Sequence, residues 1–236
     1  MESNGYERDN KYVLKTTDDP IKDQTYFLAH LAQEQLARAL FPIGNLTKLK
    51  VRELAKKYNL PTRDRKDSQG ICFLGAIDLK DFLKHYIKEK KGKVVNENNE
   101  EIGYHNGAVF YTLGERHGFT IIKKSPTDIP YYIIAKDIKK NILIVSQNKN
   151  SNKFNSTKNS FFNFNLKNIN WISIIPKYNK IYTAQIRYHG EFLPCKIKNI
   201  KKNTAEIIFK KYTLVDKGQS CVIYDKDICL GGGVIV

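Results

Sequence analysis

The chain has 236 residues and carries 40 Lys+Arg against 24 Asp+Glu, a formal net charge of +16. Its apolar fraction of 41% supports folded domains with modest cores, no run of about 18 apolar residues offers a membrane span, and the polar, acidic opening Met1-Glu2-Ser3-Asn4-Gly5 is unlike a secretory signal, so a cytoplasmic location is expected. The charge points to a polyanionic partner, since each neutralised phosphate releases condensed counterions, although a composition rich in Lys, Asn and Ile, as AT-rich coding favours, accounts for part of it.

In chain order, Tyr12-Val13-Leu14 reads as a short strand with nothing before it to pair, which suggests a truncated domain. Residues 24–40 have helical spacing, with Tyr26, Phe27, Leu28, Leu31, Leu36, Ala39 and Leu40 facing a core. Asp23 or Thr25 is the expected cap, and Phe41-Pro42-Ile43-Gly44 the expected end. Further helices are expected at about 50–58, broken by Leu60-Pro61-Thr62, and near 79–86.

After Lys91 the pattern changes to strands and turns. A hairpin with a polar tip is expected over 93–103, then strands at 109–113, 131–135 and 142–145. Residues 147–160 are Asn, Lys and Ser with almost no apolar content and read as a linker. Strands at 181–188, 192–197, 205–209, 221–224 and 228–236 have the spacing of a closed or nearly closed β-barrel. The fold class is therefore α+β: a short helical region (1–90), a small β-domain (91–146), the linker and a C-terminal β-barrel (161–236).

Four cysteines are present. Cys195, Cys221 and Cys229 occupy apolar, strand-like contexts, whereas Cys72 follows the polar stretch Asp67-Ser68-Gln69-Gly70. Arg63, Arg65 and Lys66 lie just upstream and favour a thiolate, the form that attacks. Cys72 is accordingly the candidate nucleophile; the competing reading is a small buried hydrophobe beside Ile71 and Phe73. No metal site is assigned.

Several blocks follow one another in a specific order: Lys22-Asp23-Gln24-Thr25-Tyr26-Phe27-Leu28, Phe41-Pro42-Ile43-Gly44, Lys50-Val51-Arg52 and Lys66-Asp67-Ser68-Gln69-Gly70-Ile71-Cys72-Phe73. Gly103-Tyr104-His105-Asn106-Gly107, Tyr111-Thr112-Leu113-Gly114-Glu115-Arg116, Gly218-Gln219-Ser220 and Cys229-Leu230-Gly231-Gly232-Gly233 continue the series. Together they resemble the signature blocks of the bacterial tRNA-specific 2-thiouridylases over residues 12–236.

The resemblance implies 2-thiolation of the wobble uridine of tRNA, with ATP activating the C2 carbonyl. Sulfur arrives as a persulfide relayed from a cysteine desulfurase through a carrier protein. Cys72 matches the cysteine that receives it, and a second cysteine assists release, with a disulfide as one product. Lys22, Asp23 and Gln24 match a tRNA-contacting triplet, or else simply start a helix. Arg187 and Tyr188 match a pair that touches tRNA from the barrel, or else are ordinary strand residues, and Gln219 matches a further contact, or else is a turn amide. The family's Ser-Gly-Gly-Val-Asp-Ser-Ser type ATP loop has no counterpart in this sequence. On that basis the chain corresponds to the family without its ATP-binding domain. It is either part of a complete sulfurtransferase or a non-catalytic tRNA-binding remnant. Glu115 stands where the family has Gln, adding negative charge, and Arg116 holds phosphate or anchors its own loop. The glycine run 231–233 is read as permitting close strand packing.

Overall fold

A computed structural model describes residues 4–8, 11–19, 22–65, 79–122, 129–148, 162–211 and 213–236. Cys72 and nearly all of the expected linker lie outside the described residues. The strands are β1 (Asn4–Arg8), β2 (Lys11–Lys15), β3 (Gly92–Val95), β4 (Glu101–His105), β5 (Thr120–Ile121), β6 (Tyr132–Asp137), β7 (Ile142–Ser146), β8 (Phe162–Trp171), β9 (Tyr182–Gln185), β10 (Leu193–Lys198), β11 (Thr204–Phe209), β12 (Ser220–Asp225) and β13 (Ile228–Ile235). The helices are α1 (Thr25–Leu28), α2 (Gln33–Leu36), α3 (Lys48–Lys57) and α4 (Leu79–Lys84). None of these is long and apolar enough to cross a membrane.

The chain forms two compact units, one built from residues 1–65 with 159–236, the other from 66–158. The residues read from sequence as one helical region are thus divided between the two.

In the first unit, strands run in the order β1-β2-β13-β12-β9-β10-β11-β8, and β8 returns to pair with β13, closing a barrel of six strands. One edge of β13 is shared. Ile228 and Cys229 pair with Lys15 and Leu14 of β2, and Gly231 to Ile235 then pair with β8. The handover falls at Gly231, whose φ is +115°. A Cβ there would stand 1.9 Å from the Asn170 carbonyl oxygen, so only glycine lets the strands approach this closely.

The barrel interior holds Leu166, Ala184, Cys195, Ile197, Ile207, Phe209, Cys221, Ile223, Leu230 and Ile235. Alternate residues of β12, Val222 and Tyr224, point outward and are covered with Leu14, Ala29 and Leu36. Both faces of β12 are therefore buried, which is why Cys221-Val222-Ile223-Tyr224 reads as an unbroken apolar run.

Three expectations are corrected in this unit. Tyr12 to Leu14 has a partner on each side, β1 and β13, so it is no unpaired strand. Strand β8 was not foreseen, because its Phe162-Asn163-Phe164-Asn165-Leu166 alternation is written with asparagine, a residue depleted in strands. The single helix expected over 24–40 is two four-residue helices. The Asn170 side-chain amide donates to the Ala29 and Leu31 carbonyls, and Gln33 donates to the carbonyls of Tyr12 and Ile172. Barrel contacts thus take over groups that a continuous helix would satisfy internally. Leu36 is buried as expected, but Phe27 and Leu40 are exposed.

The second unit is a sheet in the order β5-β4-β3-β7-β6, with β3 and β7 parallel. Its core is Val94, Ile102, Ala108, Tyr111, Ile133, Leu143 and Val145. Residues 109–113, expected as a strand, instead begin within a 3-10 turn over Ala108–Phe110 and continue without regular structure. The Phe110 and Tyr111 amides bond to the Gly107 and Ala108 carbonyls, so Tyr111 is buried without joining the ladder while Val109 is left exposed.

His105 is 1% exposed, and its Nδ1 accepts from the Gly107 amide at 2.8 Å. Burial lowers its pKa from the ordinary histidine value. The unfolded chain therefore takes up a proton that the folded state resists. The contribution of His105 is intact above about pH 6.5 and is lost as pH falls from there toward the depressed native pKa. Urea unfolding between about pH 7.5 and 5.5 should show stability dropping with acidity, and His105→Asn should flatten the drop. An unchanged pH slope in that variant would remove His105 as the cause.

Candidate functional site

The segment between β2 and α1 is fixed by two carboxylates. Asp19 is 4% exposed; its Oδ1 accepts from the Lys22 amide at 3.2 Å and its Oδ2 from the Lys48 amide. Asp23 Oδ2 accepts from the Thr17 amide at 2.8 Å, and its Oδ1 from the Thr25 amide at 2.8 Å and the Thr25 hydroxyl. Asp23 is thus consumed in shaping the entry to α1, while Gln24 occupies the N-cap position without a side-chain cap bond.

From Thr25 a buried relay crosses to the barrel. The Thr25 and Tyr224 hydroxyls lie 3.1 Å apart, the Tyr224 hydroxyl donates to Gln185 Oε1 at 3.2 Å, and Gln185 Nε2 donates to the Gly190 carbonyl at 2.9 Å. Burial raises the Tyr224 pKa far above the ordinary tyrosine range, which keeps it a donor. The relay sets the loop after β9, where Arg187 and Tyr188 lie beyond the strand's end and not within it.

Three segments distant in sequence meet here. Gln24 Nε2 donates to the Tyr188 hydroxyl at 3.0 Å. The Tyr188 ring lies 4.4 Å from Phe27, 6.3 Å from Tyr26 and 4.0 Å from His189 by centroid. The Tyr26 hydroxyl donates to the Ser220 carbonyl at 3.0 Å. Burial raises its pKa, and the nearby positive charge of Arg187 pulls the other way. Gln219 Oε1 accepts from the Asp216 amide at 3.0 Å and holds the turn through Gly218. Half-buried Lys22 forms no ion pair among the described residues. Beside this patch is a cleft of about 440 Å³ lined in part by Thr17, Asp23, Gln185, Tyr188, His189 and Phe192.

Gln24, Arg187 and Tyr188 are therefore neighbours, and Gln219 joins them through Ser220 and Tyr26. Sequence reasoning missed Phe27 as an exposed ring, and did not single out His189, Phe192 or the Thr25–Tyr224–Gln185 relay. The adjacent Tyr26-Phe27 and Tyr188-His189 pairs were the available signal.

In the second unit, Glu115 forms a 2.8 Å ion pair with Lys80, and its other oxygen accepts from the Thr112 amide at 3.0 Å. Its charge is compensated locally. Arg116 Nε donates to His117 Nε2 at 3.0 Å.

Cys195, Cys221 and Cys229 are free and buried. Burial pushes the Cys195 and Cys229 thiols up to about 12 and the Cys221 thiol well above its ordinary value. These three are poor nucleophiles at neutral pH. The glycine run does not fit an ATP phosphate. It lies inside β13, and main-chain oxygens of Asn170 and Cys221 stand within 1.9 and 2.2 Å of where Cβ atoms would be on Gly231 and Gly232. Those acceptors repel an anion.

Three family descriptions match in succession: a tRNA methyl transferase HUP domain over residues 2–76, a tRNA methyl transferase PRC-barrel domain over 80–147 and an aminomethyltransferase beta-barrel domain over 162–235. The tRNA-specific 2-thiouridylase MnmA of Buchnera aphidicola subsp. Baizongia pistaciae is 41% identical over 229 residues, covering 96% of this chain and 60% of that protein. The protein of the same name from Mycoplasma mycoides subsp. mycoides is 41% identical over 233 residues, again 96% and 60%, and that from Methylobacillus flagellatus is 37% identical over 234, or 97% and 63%. The chain thus spans less than two thirds of the length of these curated relatives.

Proposed function

The chain belongs to the tRNA-specific 2-thiouridylase family, and from that premise we propose that it acts in replacing the C2 oxygen of a tRNA wobble uridine by sulfur. Lys22, Gln24, Arg187, Tyr188 and Gln219 hold the tRNA, Asp23 positions them, and Cys72 carries the sulfur as a persulfide. The carrying observation is the convergence of Gln24, Tyr188 and the Tyr26–Ser220 contact on one patch, although the chain places them as much as 196 residues apart (220 − 24). Arginine suits a phosphate, and exposed rings such as Phe27 beside Tyr188 suit an unstacked base.

In this reading the Cys72 thiolate attacks the outer sulfur of a donor persulfide. A new S–S bond forms on Cys72, and the donor cysteine leaves as a thiolate. The terminal sulfur then attacks C2 of the activated uridine, and the activated oxygen departs with its bonding pair. A second thiol resolves the remaining S–S bond, leaving a disulfide on the protein. None of the three described cysteines suits that second role, since all are buried. Splitting the exchange into covalent steps lowers each barrier. The ATP that the family resemblance implies is assigned to no residue of this chain. The donor is a persulfide-carrying protein fed by a cysteine desulfurase.

The patch is tested by equilibrium binding of a tRNA transcript with uridine at the wobble position. Tyr188→Ala should weaken binding by about 1–3 kcal/mol, the cost of one lost stacked base, and Arg187→Ala should lower the salt slope by about one phosphate contact. Tyr188→Phe keeps the ring and should lose little. Wild-type affinity in both alanine variants would overturn the assignment of this face.

A further inference from the structure

The family motifs lie at one end of the β9–β10 hairpin; the other end carries a separate groove. Its volume is about 610 Å³, and its lining includes Trp171, Ile175 and Tyr178 from the segment before β9 and Lys198, Lys201 and Lys202 at and after the end of β10. Strand β10 has six residues, so the groove and the Tyr188 loop are separated by about 20 Å of extended chain.

Two features distinguish this groove from an ordinary solvated turn. Its apolar side chains are open to solvent: Ile175 is 62% exposed and Tyr178 67%. Its cations also lack counter-charges: among the described residues Lys198, Lys201 and Lys202 form no ion pair. Glu206 stands directly opposite Lys198 in the ladder, but its carboxylate accepts from Asn199 Nδ2 at 2.7 Å instead. The turn is defined by Asn199 in the left-handed region at φ +49° and by the Lys201 amide bonded to the Thr204 carbonyl at 2.8 Å. Three lysines thus line one groove together with Trp171 and Tyr178. Lysines beside an exposed ring form the arrangement that binds a phosphodiester chain and stacks an unpaired base.

We propose that this groove is a second RNA contact, taking a phosphodiester segment with an unstacked nucleotide from the same tRNA that the Tyr188 face holds. The inference rests on the tRNA-binding reading above. A strand or stem lying along the barrel wall spans both ends, and the excess positive charge of the chain, +16, is partly explained by the groove.

The test is tRNA-transcript binding by the full chain, titrated across a range of salt concentrations, for a Lys198→Ala/Lys201→Ala/Lys202→Ala triple variant, the corresponding triple arginine variant, Tyr178→Ala and Arg187→Ala. The triple alanine variant should bind at least about tenfold more weakly at low salt, with its log–log salt slope reduced by about 2–3. The arginine variant should restore both, which separates charge from folding. Tyr178→Ala should weaken binding with the salt slope unchanged. Wild-type affinity and slope in the triple alanine variant, with Arg187→Ala still impaired, overturns the second contact and leaves the first in place. Absence of tRNA binding by the wild-type chain overturns both.

Discussion

Gly231→Val will prevent the barrel from closing. Two costs coincide at this position. The φ of +115° is one that a β-branched residue rarely adopts, and the new Cβ would stand 1.9 Å from the Asn170 carbonyl oxygen and 3.0 Å from its carbon. Neither neighbour can yield, because both are main chain of β8, the strand that closes the ring. Relief requires separating β13 from β8 and losing the ladder from Gly231 to Ile235. The expected loss is about 4 kcal/mol or more, in the range reserved for strained special positions. Trp171 is the only tryptophan and sits opposite Gly231 in the register, so its fluorescence in urea unfolding reports the break directly. Gly218 is the internal control. Its φ is +87°, but nothing lies within 4 Å of its would-be Cβ, so Gly218→Ala should cost only the left-handed backbone term, about 1–2 kcal/mol. If Gly231→Ala is no worse than Gly218→Ala, the close approach of strands does not control closure.

The same glycines show what sequence can and cannot reveal. Three consecutive glycines in an apolar run signal close backbone packing, and that inference needed no partner to be named. Which backbone approached, β8, depended on a strand whose asparagines hid its alternation. The buried face of β10 was legible because it follows a period of two, whereas β12 and β13 are buried on both faces and β11 over its last three residues. The split of the 24–40 region was not legible, since it depends on Asn170 and Gln33 contacts with strands far along the chain. The site divides along similar lines. Lys22, Asp23, Gln24, Arg187, Tyr188 and Gln219 came from motif resemblance. Spacing alone has no means of placing Gln24 against Tyr188, 164 residues away. It also could not separate the roles within the triplet, where Asp23 spends both oxygens on backbone and hydroxyl donors while Gln24 reaches the aromatic patch.

Cys72→Ser is expected to abolish sulfur loading while changing tRNA affinity by less than about twofold, since none of the side chains proposed to hold RNA is altered. The argument runs through the other three thiols. With pKa values pushed up to about 12 by burial, Cys195 and Cys229 stay protonated at neutral pH, and Cys221 is suppressed by complete burial. A thiol reagent added to the native chain should therefore modify one cysteine quickly and three only as the barrel unfolds. In Cys72→Ser the fast phase should vanish and the slow phase remain. A low-molecular-weight persulfide should add one sulfur atom to the wild-type chain, seen by intact mass, and none to the variant. Normal loading in Cys72→Ser would sink the assignment of this residue. A wild-type chain that binds tRNA yet takes up no sulfur would instead support the reading in which it holds RNA without chemistry, because the patch proposed to bind RNA is argued from Gln24, Tyr188 and the barrel loops alone.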